Sequence, residues 1–438
     1  MHDLTANIKP LYYKYLAASM GSALVMSIYS FVDTIAVGQS VGPMGTAAMA
    51  AITPFYGVLT FLAILCGIGG SVLMGNAKGE GNAEKGNAYF TASLILMALI
   101  VAAGWIVFFL FHDEILTFFG ADETTLPYVM DYAIWIIRFF PVFVAPTFLG
   151  AFLRNDGAPG LAMGAVVSGG LLNVFGDWFL CFPMDMGMEG AAIATVAGTS
   201  LQVLVMCAHF FRRSCGLRLV RPRRPLAAAR NILAIGFGSS VLDLGTVILS
   251  VIINNQIIRY GSVAALSVYG VVGTVSSLFQ ALFCGVGQAI QPLVSVNYGA
   301  GRTDRIRQVF RMALVTSCVL GVVFTGLGEL FPIEITRLFI AATPEVLEIA
   351  PFVIRTYFPL FLFLGITVLA TYYLQSIMRS AMSLVIAVLR SIALSGLLLF
   401  VLPAFFQLGG VLIALPVSEF VVAGIALAYI RRVSRKGL

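Results

Sequence analysis

The sequence predicts an all-α polytopic membrane protein with twelve transmembrane helices in two pseudo-symmetric six-helix bundles. Three observations carry this. Hydrophobic residues make up 60% of the chain and charged residues 11%, with a mean hydropathy of +0.98, whereas a soluble domain carries about 25% charged residues. About twelve segments reach the roughly 20 apolar residues that a helix needs to cross a hydrocarbon core of about 30 Å. The second six of these segments repeat motifs of the first six. A soluble enzyme is excluded.

The first segment, roughly residues 12 to 37, follows Lys9 and Lys14. It is too long for a signal-peptide core and has no small-residue cleavage site, so it is expected to be retained. Within Ser27-Ile28-Tyr29-Ser30-Phe31-Val32-Asp33-Thr34-Ile35-Ala36-Val37-Gly38-Gln39 it places one carboxylate, Asp33, where a charge costs roughly 2.5 to 3.5 kcal/mol. Segments two to four, roughly 47 to 75, 87 to 111 and 127 to 153, carry Cys66-Gly67-Ile68-Gly69, an apolar run, and Arg138 with Pro141 and Pro146. The fifth, roughly 159 to 182, holds Asn173 and Asp177 as an i, i+4 pair on one helix face. The sixth, roughly 189 to 211, opens with Gly190-Ala191-Ala192-Ile193-Ala194-Thr195.

Residues 212–226, basic and holding Pro222 and Pro225, read as a cytoplasmic linker between an N-terminal lobe, 1–211, and a C-terminal lobe, 227–438. The second six segments fall at roughly 231 to 258, 263 to 294, 310 to 333, 346 to 374, 383 to 406 and 408 to 430. In the second half, Cys284-Gly285-Val286-Gly287 repeats the Cys66 motif. Tyr298-Gly299-Ala300-Gly301-Arg302-Thr303-Asp304-Arg305 repeats Lys78-Gly79-Glu80-Gly81-Asn82-Ala83-Glu84-Lys85. Glu334-Ile335 with Phe339 repeats Glu114-Ile115 with Phe119, and Arg355 with Phe358-Pro359 repeats Arg138 with Phe140-Pro141. One register of about 220 residues relates all four. Six is even, so both copies start on the same side and the repeat is parallel, which predicts a cleft between the bundles and rocking-bundle alternating access.

Lysine and arginine gather on one side: Lys78, Lys85, Arg154, the run Arg212 to Arg230, Arg302 to Arg311, Arg379 and the tail from Arg431. That side is predicted to be cytoplasmic, with both termini there, in a plasma or inner membrane. The pI near 9.0 then reflects topology, and no nucleic-acid partner is expected. Six scattered cysteines without a C-x-x-C pair read as apolar packing residues, and His2, His112 and His209 form no ligand set with them. No cofactor is expected. Pro54, Pro141, Pro146, Pro292, Pro359 and Pro416 are candidate bends.

Asp33, Asp177 and Thr195 fall at a common depth. Counted from the segment ends at 1.5 Å per residue, these three lie roughly 6 to 9 Å from the outer boundary, so separate helices can build one site, joined by Asn173 one turn from Asp177 on the same face. Two carboxylates, an amide and a hydroxyl supply hard oxygen ligands for sodium. Equally, burial and like charge favour the neutral form of a carboxyl, which suits proton carriage. Mutual hydrogen bonding that merely locks the bundle is the structural alternative. The repeat argues against it, because the register places Ser250, Val251 and Ser395 where the first half has acids. Asp243, Arg390 and Glu419 form a second-half ion network or line the cleft. Gln256, Gln280, Gln288 and Gln291 are cleft-lining candidates, and Arg138 and Arg355 share a pairing or snorkelling role.

Tyr29-x-x-Val32-Asp33-Thr34-Ile35-x-Val37-Gly38, the stretch from Gly67 to Lys85, and Asn173-x-x-x-Asp177 followed by Gly190 to Thr195 resemble the multidrug and toxic compound extrusion (MATE) family, over essentially the whole chain. The resemblance implies a cation-coupled antiporter that exports organic, often cationic, compounds. The Asn-x-x-x-Asp pair joined to a first-span aspartate looks like the DinF-like branch, which implies a proton or sodium site at Asp33, Asn173, Asp177 and Thr195. The acids of the sodium-linked NorM-like branch are not matched, Asp243 being offset. Many relatives have a first-span proline where this chain has Ala18, so a kink there does not transfer, and Gly21 is the nearest flexible point. A monomer in the lipid bilayer is expected. A lipid-linked oligosaccharide flippase would want a more basic cleft than Arg390 offers. A membrane-embedded enzyme lacks a nucleophile and base at one depth, and a channel lacks matched rings of charge.

Overall fold

The computed structural model describes residues 7–119, 121, 123–340 and 343–435, with the side chains of 43, 242–244 and 246–248 outside the description. In hydrocarbon the backbone has no water to bond, so apolar segments close their hydrogen bonds internally as helices. The first is α1 (Ile8–Ser40), capped by the Asn7 side chain on the Lys9 N–H. Then come α2 (Pro43–Gly79) and α3 (Ala83–Leu110), the latter capped by Asn82 on the Lys85 N–H at 2.9 Å. A short α4 (His112–Phe118) precedes α5 (Leu126–Arg138) and α6 (Phe140–Asn155), which meet at a 60° bend just before Pro141. α7 (Pro159–Cys181) and α8 (Gly187–Cys207) follow, ending in a 3-10 turn at Ala208–Phe211.

Beyond the linker come α9 (Pro225–Tyr260), α10 (Val263–Gly299), α11 (Thr303–Leu330) and the short α12 (Pro332–Phe339). α13 (Pro344–Tyr357) passes through a 3-10 turn at Phe358–Leu360 into α14 (Phe361–Ser376). α15 (Ser380–Val388), a π-helical turn at Leu389–Ala393 and α16 (Leu394–Val401) make one span, and α17 (Pro403–Arg435) the last. Among the described residues ten helices are long and apolar enough to cross a membrane, eleven when α5 and α6 count as one bent span. α9, 36 residues long, completes the twelve-span layout.

The repeat seen in sequence is also written in the backbone. Gly81 and Gly301 both take positive φ, 81° and 67°. Each turn carries the same bond pair, Gly81 N–H to Lys78 O and Asn82 N–H to Ala77 O, matched by Gly301 N–H to Tyr298 O and Arg302 N–H to Asn297 O. Only glycine enters this region without a Cβ penalty, which explains why the two loops share it. At the next repeat pair, Gly157 with φ 80° is matched by Met378 with φ 60°. There the second copy accepts the strain that the first avoids.

The chain divides into two compact units, Met1–Ser240 and Val241–Leu438, so the first part of α9 belongs with the first unit. Its attachment is backbone to backbone: a Cβ on Gly69 would lie 2.1 Å from Ile232 O, and one on Gly236 would lie 1.9 Å from Leu65 O. Between membrane helices there is no hydrophobic drive, so such close packing at small residues supplies the cohesion. Aromatic rings fill the rest of each unit. Phe90, Phe148 and Phe152 pack together in the first, and Phe279, Phe324, Phe358 and Phe361 in the second, with the Phe279 and Phe324 rings stacked at 3.7 Å.

Bending was only partly predictable from proline. Pro54, Pro146, Pro292 and Pro416 lie inside their helices, as does Pro351. The breaks not foreseen are the π-helical turn around Arg390 and the kink at Gln407, φ 51°.

Candidate functional site

Small residues set the spacing of the site. A Cβ on Gly198 of α8 would fall 2.6 Å from Gly169 O and 2.8 Å from Asn173 Cβ, and one on Gly176 would meet Ala194 Cβ at 2.8 Å. α7 and α8 therefore touch along the face that carries Asn173, Asp177 and Thr195. α1 closes the other side, with Gly170 against Tyr29 and Gly21 against Met163. Gly21 is thus packed, and nothing about it marks a hinge. Asp33 lies seven residues before the end of α1, Asp177 four before the end of α7 and Thr195 eight after the start of α8. The rise per residue puts them about 6 to 12 Å from the helix ends.

One chain of hydrogen bonds joins them. Tyr132 of α5 donates its hydroxyl to Asp33 Oδ2 at 3.1 Å and lies 3.2 Å from Thr195 Oγ1. Asn173 Nδ2 donates to Thr195 Oγ1 at 3.2 Å and to Asp177 Oδ1 at 3.4 Å. Tyr56 of α2 extends the chain through the Tyr132 hydroxyl at 3.3 Å, and Tyr29, one turn before Asp33, bonds Gln202 of α8. Five helices of the first unit contribute. Asp177 is fully buried, and Asp33, Asn173 and Thr195 are buried as well.

Three oxygens of this network lack a donor among the described residues: Asp33 Oδ1, Asn173 Oδ1 and Asp177 Oδ2. A buried acceptor without a donor costs about 1 to 3 kcal/mol, more when charged. Among the described residues no lysine, arginine or histidine enters this network, so no base balances a charge on Asp33 or Asp177. An arrangement rich in acceptors and poor in donors can take up a cation or a proton. The donor set, two carboxylates, an amide oxygen and a hydroxyl, is chemically suited to sodium.

The second unit is built the opposite way. Arg390 Nε donates to Glu419 Oε1 at 2.7 Å, and Thr367 Oγ1 donates to the other carboxylate oxygen. Both ions are buried, and the π-helical turn that holds Arg390 is closed by Ser395, which donates to the Arg390 carbonyl and bonds Ser418 at 2.8 Å. Charge here is already balanced. Of the other expected residues, Gln256 is buried with no donor to its Oε1 among the described residues, and Gln280 and Gln288 are half-buried on α10. Gln291 is fully buried. The Asp243 side chain lies outside the described residues. Arg138 sits over the Trp135 ring at 5.4 Å, and Arg355 donates to the Glu329 carbonyl at 3.1 Å.

Two things escaped the sequence. Tyr132 lies in the second turn of α5, at a depth comparable to that of Thr195, so the same depth count extended to tyrosines would have found it. The expectation that no histidine sits with a cysteine fails at one place, where ligand atoms of Asp156, His209 and Cys215 lie within 4.8 Å of one another. The turn after α6, the turn after α8 and the linker meet there, a proximity that their sequence separation hides. Asp156 accepts from Lys78 Nζ, from the Gly216 N–H at 2.8 Å and from His209 Nε2 at 2.7 Å, so both oxygens of this carboxylate already have donors and it acts as a hub for the three elements.

The MatE family model matches residues 18–179 and 239–401. The multidrug export protein MepA of Staphylococcus haemolyticus is 24% identical over 413 residues, covering 93% of this chain and 90% of that protein. The probable multidrug resistance protein YoeA of Bacillus subtilis is 26% identical over 336 residues, covering 74% and 72%. A solved outward-facing multidrug resistance MATE family transporter of the MOP superfamily superposes with a TM-score of 0.91 at 20% identity, over 98% of this chain and 96% of that one. That last likeness is one of fold. The chain belongs to the MatE family, that of the MATE transporters.

Proposed function

We propose that the protein exports organic compounds in antiport with a cation, a proton or sodium, that binds at Asp33 and Asp177. It is a membrane transporter and not an enzyme. The observation that carries the reading is the buried, base-free chain from Asp33 through Tyr132, Thr195 and Asn173 to Asp177, with three oxygens awaiting a donor or a ligand. A cation held there favours one arrangement of the helices and the exported compound another, which is the thermodynamic requirement for exchange. Each charge moved also draws about 2.3 kcal/mol per 100 mV of membrane potential. The named relatives are a multidrug export protein and a probable multidrug resistance protein, which supports an organic, amphipathic or cationic cargo.

The basic loops support a plasma-membrane orientation with both termini in the cytoplasm, and we propose that the protein works as a monomer. The flippase reading loses its footing, because Arg390, the base it relied on, is neutralised by Glu419. Reconstituted protein tests the proposal: uptake of a fluorescent organic cation into proteoliposomes is followed under an imposed outward pH gradient and, separately, an imposed outward sodium gradient. One gradient is expected to drive accumulation above protein-free liposomes. Movement that matches protein-free liposomes under both gradients overturns it.

A further inference from the structure

The linker is strapped to the first unit. The Arg218 N–H donates to Asn87 Oδ1 at 3.3 Å, the Val220 N–H donates to Thr91 Oγ1 at 2.9 Å, and Arg223 Nη2 lies 3.8 Å from Glu84 Oε1. Held this way, it encloses a groove of about 610 Å³ against the first turns of α3 and α9. Lys85, Arg221, Arg223 and Arg224 line it, with Glu84 as the acid among them and Tyr89 beside them. Arg223 faces Glu84, and Lys85 faces Glu80 at 2.7 Å. Arg221 and Arg224 enter no ion pair among the described residues. The groove therefore carries two guanidinium groups that no acid neutralises, each with the planar fork that matches a phosphate.

Depth identifies what reaches it. The groove borders the turn where α3 passes from Glu84 and Lys85 to Tyr89, the start of its apolar run, and a tyrosine at that boundary marks the headgroup level. Further along the same helix, Ile95 and Leu99 are 49% and 64% exposed, a face built for acyl chains. A basic pocket on the positive side of a membrane protein, open to the lipid boundary, suits an anionic headgroup. We infer that this groove binds the phosphate of an anionic phospholipid from the adjoining leaflet. It lies apart from Asp33 and Asp177 and does not depend on their role.

Native mass spectrometry of the full-length protein in detergent tests this, with phosphatidylglycerol, phosphatidylcholine and inorganic phosphate as probes. The wild-type protein is expected to retain phosphatidylglycerol about tenfold over phosphatidylcholine, and Arg221→Gln with Arg224→Gln to lose that preference by a similar factor. Arg431→Gln with Arg432→Gln, on the exposed tail, is the control and is expected to leave it intact. Equal retention of the two lipids by the wild type overturns the inference, as does an equal loss in the tail variant. Displacement of phosphatidylglycerol by an equal concentration of inorganic phosphate also overturns it, by showing a free-anion site.

Discussion

The Tyr132 hydroxyl stands between Asp33 Oδ2, at 3.1 Å, and Thr195 Oγ1, at 3.2 Å, and so ties α1 to α8 through a residue of α5. A hydroxyl bonded to a carboxylate stabilises the charged form by about 1.5 to 3 kcal/mol. Removing it makes the negative site needier of a cation. Tyr132→Phe is therefore expected to lower the half-saturating concentration of the driving cation about tenfold and to slow turnover, read as transport rate against pH or sodium. An unchanged profile would show that the bond is incidental.

The α7 and α8 contact gives a sharper structural test. Gly198→Ala places a Cβ 2.6 Å from Gly169 O, and overpacking of this kind costs about 1 to 3 kcal/mol. Gly164→Ala, on the same α7, meets nothing within 4 Å. The first variant is expected to melt at lower temperature in detergent and to lose transport, while the second matches the wild type.

In the second unit, breaking the Arg390–Glu419 pair leaves an uncompensated buried charge, at a cost of about 3 to 5 kcal/mol. Glu419→Leu and Arg390→Met should each lower the melting temperature, and the double variant should recover much of the loss. Additive losses would mean that the two ions do not act as a pair.

Asp156 anchors the linker through Gly216 and gathers Lys78 and His209. Asp156→Asn weakens those charge-assisted bonds, so trypsin should cut the Arg212 to Arg224 stretch faster in membrane vesicles open on that side. The same rate in both proteins would place the anchor elsewhere, at Asn87 and Thr91.

Much of this is legible in the sequence, for physical reasons. Hydrocarbon admits few backbone solutions, so composition sufficed for the helical spans, and the matched glycines at Gly81 and Gly301 reflect a turn that other residues enter at a cost. Asp33, Asn173, Asp177 and Thr195 stood out because a polar group in an apolar span is rare. Tyr132 and Tyr56 did not, since tyrosine is at home in membrane interfaces and its role depends on what its hydroxyl meets. The pairing of Arg390 with Glu419 is one of the two readings the sequence left open for those ions, whereas the hub at Asp156 joins residues whose proximity only tertiary folding creates.

The central claim is that Asp33 and Asp177 together bind the cation that drives export. The most direct measurement compares wild-type, Asp33→Asn and Asp177→Asn proteins in proteoliposomes under the gradient that drives the wild type, with thermal melting confirming that each variant folds. Both variants should remain folded and lose gradient-driven export of the organic cation. Full export by either folded variant would contradict the claim.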